Sequence, residues 1–160
     1  MSVWGALAGG FVGTLVLTTT LRAANEAGLT RVDLPFLLGT AVTLDRARAK
    51  ALGYVLHLAA GEGFALVYYA IFAAIGTDGW LLGALMGLLH GIVSTTALVN
   101  VLLPVVHPHM GSTLSSADRS PLLEPPGFLM RNYGHGTPAV TLLAHVAYGA
   151  IVGGFAGMAG

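Results

Sequence analysis

The chain contains no cysteine. That absence excludes disulfide scaffolds, cysteine-ligated zinc or iron–sulfur centres, and thiol nucleophiles, because each is built on cysteine sulfur. Charge is almost as scarce. Asp, Glu, Lys and Arg make up 9% of the 160 residues, where a water-exposed domain carries about a quarter, so no ordinary soluble surface can be covered. The seven cationic side chains are balanced by seven acidic ones, which leaves no basic face for nucleic acid. What is abundant is apolar: 55% hydrophobic residues, 23 glycines and a mean hydropathy of +0.78 describe a chain whose solvent is lipid.

Four apolar runs are long enough to cross a bilayer, which takes about 20 helical residues: 3–21, 51–75, 80–106 and 137–158. The expected fold is all-α, a polytopic membrane four-helix bundle forming a single transmembrane domain over 1–160. The first run has no basic segment before it and its first cation, Arg22, follows it, so it reads as a retained helix. Arg22, Arg31, Arg46, Arg48 and Lys50 lie in connection 22–50, and Arg119 and Arg131 in connection 107–136. The positive-inside rule places both connections in the cytoplasm and both termini outside, with Trp4 and Trp80 at the outer interface.

The short connection Gly76-Thr77-Asp78-Gly79 predicts that the second and third helices are antiparallel neighbours. Asp33-Leu34-Pro35-Phe36-Leu37-Leu38-Gly39 is apolar but too short to cross, an interfacial or re-entrant element. Asp45 suits the N-cap of the second helix and Pro138 the first turn of the fourth. Pro121, Pro125, Pro126 and Gly127 break any helix in the second long connection.

Glycine recurs at every fourth position in three spans: Gly5, Gly9, Gly13; Gly83, Gly87, Gly91; and Gly149, Gly153, Gly157. In lipid such seams let backbones approach and associate by dispersion, with an oligomer interface as the other use. The first and third spans also align, Gly5-Ala6-Leu7 through Thr18 with Gly83-Ala84-Leu85 through Thr96, six of fourteen positions being identical. A shorter match joins His57-Leu58-Ala59-Ala60-Gly61 to His145-Val146-Ala147-Tyr148-Gly149. The common order suggests two tandem hairpins related by a pseudo-twofold axis along the membrane normal, with His57 and His145 at one depth.

Glu62 is the only charged residue inside a span, and His57, His90 and His145 are the only intramembrane histidines. Burying such a group costs about 2.5–3.5 kcal/mol on insertion scales, so each is a candidate functional residue. His57 and Glu62 are five apart, hence roughly 140° apart around the helix, and do not aim at one small centre. Three readings follow. His57 and His145 are candidate axial ligands of a haem, or join His90 or Glu62 around iron, zinc or copper, with His90 the next cofactor ligand and Asn100 and Tyr148 in support. Alternatively, Glu62 and the histidines relay protons or ions in a transporter or channel subunit. In the third, every polar group is a satisfied interhelical hydrogen bond in an accessory or structural protein.

The second long connection begins with His107-Pro108-His109-Met110, two imidazoles and a thioether that form a candidate copper site or a simple helix end. Ser112 to Ser116 and Asp118 carry no nucleophile motif, so no catalytic residue is assigned. The expected partners are membrane lipid and either further copies of the chain or a larger membrane complex.

Four segments carry a family resemblance: Asp33-Leu34-Pro35-Phe36-Leu37-Leu38-Gly39-Thr40, Leu123-Glu124-Pro125-Pro126-Gly127-Phe128, Asn132-Tyr133-Gly134, and Thr137-Pro138 through Leu142-Leu143-Ala144-His145. They resemble a family of uncharacterised small bacterial membrane proteins with four transmembrane helices. The resemblance implies an inner-membrane location and no particular activity.

Overall fold

A computed structural model of the chain describes residues 1–110 and 123–158. Ser112 to Ser116, Asp118, Arg119 and Pro121 lie outside the described residues. Among those described, the fold is all-helical, and four helices are long and apolar enough to cross a membrane.

Helix α1 spans Val3–Glu26, opened by Ser2, whose hydroxyl accepts from the Gly5 amide at 3.3 Å. It outruns its apolar stretch because Arg22 and Glu26 pair at 3.0 Å one turn apart on its exposed end. The short helix α2, Leu34–Gly39, starts where the Asp33 carboxylate caps the Phe36 amide and Pro35 sits in the first turn. Helix α3, Arg46–Ile75, begins ahead of its apolar run for the same reason: Asp45 accepts from the Arg48 amide at 2.8 Å. Its other end closes on Gly76 in the left-handed region, φ +74°, where a Cβ would be strained.

The third span is not one regular helix. Helix α4, Trp80–Val93, passes into a π-helical stretch, Ser94–Leu102, and returns to α5, Leu103–Val106. The local chemistry explains the wide turns. The hydroxyls of Thr95 and Thr96 bond back to the carbonyls of Gly91 and Ile92, at 2.7 and 2.6 Å, which loosens the ladder there. Pro104 brings no N–H and its ring crowds the carbonyl four residues earlier. The Asn100 amide then donates to the carbonyls of Thr95 and Thr96, at 3.0 and 3.1 Å.

The last span, α6, runs over Thr137–Met158 and is the organising element, since both α1 and α4 pack along it. Glycine permits both contacts. A Cβ on Gly9 would lie 2.9 Å from Val152 Cα, one on Gly13 2.8 Å from the Tyr148 ring, and Gly83 and Gly149 would each strike the other's carbonyl. Helix α3 packs on α1 and carries α2 across it, where Gly39 and Gly53 admit the carbonyls of Ala49 and Pro35.

The second and third spans are neighbours across their short connection, but they meet through side chains. Helices α3 and α4 leave their connection without packing backbone to backbone, because aromatic side chains stand between them: the Phe64 ring meets His90 at 3.9 Å between centroids. The spatial order is therefore α3, α1, α6, α4, with an opening where the ring of helices would close.

Candidate functional site: an intramembrane cleft

That opening is a cleft of about 400 Å³ lined by all four spans. One end is polar. His57 on α3, His90 on α4, and Thr141, His145 and Tyr148 on α6 gather there, with Phe64 beside them. The rest is apolar, walled by Leu17 and Leu21 of α1 and by Leu98, Val99 and Leu103 of the third span, and floored by Leu34 and Leu38 of α2. Met130 completes the floor. It belongs to a 3-10 turn, Phe128–Tyr133, in which Leu129 and Met130 have φ of 54° and 57°, a conformation that side-chain-bearing residues avoid. The turn is held from outside: the Arg31 amide donates to the Tyr133 carbonyl at 2.6 Å, and the Tyr133 hydroxyl to the Glu124 carbonyl at 2.7 Å. Met130 ends 3% exposed.

The hydrogen bonds of the cleft assign protons. Thr18 donates its hydroxyl to the Thr14 carbonyl at 2.7 Å, so it meets His57 Nδ1, 3.1 Å away, with a lone pair, and His57 carries its proton on Nδ1. His145 likewise donates Nδ1–H to the Thr141 carbonyl at 2.8 Å. With Nδ1 as the donor, the neutral form of each ring keeps its lone pair on Nε2. His90 Nδ1 lies 3.4 Å from the Tyr68 hydroxyl, and its ring stands edge to face with His145 at 4.9 Å. Tyr148 donates to the Gly61 carbonyl and joins α6 to α3.

The candidate residues are thus partly gathered and partly dispersed. His57, His90, His145 and Tyr148 share the cleft, whereas Glu62 is not part of its lining. A Cβ placed on Gly10 of α1 would lie 3.1 Å from Glu62 Oε2, which has no hydrogen-bond partner there, as the angular offset between positions 57 and 62 requires. Asn100 supports no histidine, since its amide is spent on its own helix. Among the described residues no three His, Asp or Glu side chains are grouped closely enough to hold a metal ion. The expected set of His57, His145, His90 and Glu62 is not assembled, and a metal or haem site is left without geometric support.

The candidate copper cluster has another employment. His107 accepts from the His109 amide on Nδ1 at 3.2 Å and donates Nε2–H to the Leu37 carbonyl at 3.0 Å. His109 donates Nδ1–H to the Thr40 carbonyl at 3.0 Å. Together they cap the open carbonyls at the end of α2, and a metal could take His107 only by breaking those bonds. Met110 is buried, 7% exposed, beside Leu123.

Sequence reasoning missed Phe64, Tyr68, Thr141 and Met130. Tyr68 had a signal: Gly53, His57, Gly61, Ala65, Tyr68 and Phe72 form one buried stripe on α3 at steps of four and three. Met130 had none, because its position depends on a strained turn.

Comparison with known proteins returns no matching family, no matching curated protein and no matching solved structure.

Proposed function

We propose that the chain is a non-enzymatic membrane protein of the bacterial inner membrane that holds a membrane-dissolved apolar molecule between its spans, as a binding protein or accessory subunit. The cleft carries this reading. Its volume of about 400 Å³ falls within the usual range of small-molecule sites, and its wall is apolar with a few convergent polar groups. Its exposed rim is Ala60 of α3 with Leu102 and Val106 of the third span, residues on the flank of the bundle. In a bilayer that flank faces acyl chains, so a compound dissolved in the membrane has lateral access.

The cytoplasmic placement of the α2 end is supported by the cations concentrated there and by the exposed indoles of Trp4 and Trp80 at the other end. The family resemblance supports the inner-membrane location. Descent from two tandem hairpins is supported by the matched glycine seams of α1 and α4, both docked on α6, and by His57 and His145 sharing one cleft. A strict twofold would pair α3 with α4 as closely as α1 with α6, and the cleft stands in place of that contact.

The test is uptake of octylbenzene, an apolar probe without a hydrogen-bonding group, by the chain in lipid nanodiscs, with empty nanodiscs subtracted. Saturable binding of one molecule per chain is expected, lost in Ala60→Trp, which fills the rim from an exposed position. Partitioning identical to empty nanodiscs, or equal uptake by the variant, would overturn the proposal.

A further inference from the structure

We infer that the occupant of the cleft carries a hydroxyl group on its apolar body, a phenol or a long-chain alcohol, bound at the polar end by His57 and His145. The inference rests on the binding role proposed above and adds the chemistry of the ligand. His57 and His145 each spend Nδ1–H on protein, on the Thr18 hydroxyl and the Thr141 carbonyl, which leaves each Nε2 as a hydrogen-bond acceptor. Neither Nε2 has a partner among the described residues, and neither is sealed from solvent, although the residues are only 8% and 6% exposed. Both residues line the cleft.

A hydroxyl is the simplest uncharged group that answers them: its hydrogen goes to an imidazole Nε2. Ketones, ethers and carboxylates bring only acceptors and would set lone pair against lone pair at both histidines. An ammonium group brings donors but also a charge for an apolar chamber.

Three probes that differ only in that group decide the matter: para-octylphenol, its methyl ether para-octylanisole, and octylbenzene, titrated calorimetrically into nanodiscs containing the whole chain. The phenol is expected to bind one per chain and at least tenfold more tightly than the ether, and the His57→Phe/His145→Phe variant should abolish that preference. In histidine-labelled parent protein, the Nε2 nitrogen resonances of His57 and His145 should move with the phenol and stay with the ether, which decides the point even where the variant fails to fold. Equal affinity for phenol and ether, with octylbenzene also binding, would overturn the hydroxyl inference while the cleft keeps its binding role. Binding of none of the three would overturn both.

Discussion

Tyr133 shows how a single side chain at the membrane edge holds a strained turn. Burial, reinforced by the Glu124 carboxylate and opposed by the Arg31 guanidinium, pushes its phenol up to about 12 from the usual 10.0. The folded state thus holds its proton more tightly than the unfolded chain, so this contribution is complete below pH 10 and is lost as pH rises through 12. An alkaline loss of stability between pH 10 and 12 is expected in the parent and should be smaller in Tyr133→Phe, as followed by thermal melting across that range; equal slopes would refute it. Glu62 makes the opposite demonstration. Its Oε2 is buried beside Gly10 without a partner, so it costs stability in this fold. Glu62→Gln should raise the melting temperature, and a lower one would show that the carboxylate has a partner or task that the fold does not display.

At the scale of elements, glycine spacing was legible as close packing, but which glycines are indispensable was not, since that depends on what lies opposite. Gly53 admits the Pro35 carbonyl under α2, whereas nothing lies within 4 Å of a Cβ on Gly63. Gly53→Ala should cost about 1–3 kcal/mol through overpacking, while Gly63→Ala in the same helix should add up to about 1 kcal/mol through helix propensity. Denaturant titration in detergent would compare them, and equal effects would contradict the assigned crossing of α2 and α3. The π-helical stretch was legible only in part: Thr95, Thr96, Asn100 and Pro104 are each visible, yet their combined effect on the ladder shows only in three dimensions. Likewise His107 and His109 read as metal ligands because imidazole suits metals; nothing local reveals the carbonyls of Leu37 and Thr40 that occupy them. His107→Ala should strip the Leu37 carbonyl of one of its two donors, lower stability by about 1–3 kcal/mol, and expose the α2 segment to proteolysis before the spans unfold. Unchanged cleavage would argue against the capping role.

For the whole molecule, the four membrane-length helices were legible because twenty apolar residues leave a backbone few other ways to satisfy its hydrogen bonds in lipid. Their lateral order was not. It depends on the bulk of Phe64, Tyr68 and His90 on one side and on the glycine seams on the other, and only their competition decides that α6 sits between α1 and α4 while α3 stands off. The candidate site followed the same division: the histidines were identifiable one by one, but the chamber they share arises because the backbones of α3 and α4 do not pack together.

The central position of α6 also bears on the order of biosynthesis. Helix α1 finds its main neighbour in α6, the latest made of the four described spans, with Gly5 set against Phe155, and the carbonyls at the end of α2 wait for histidines some seventy residues downstream. During translation the first three spans therefore enter the membrane without the surface that joins them. The bundle closes only after the ribosome has finished α6, and until then the nascent chain has glycine-lined faces open to any neighbouring helix.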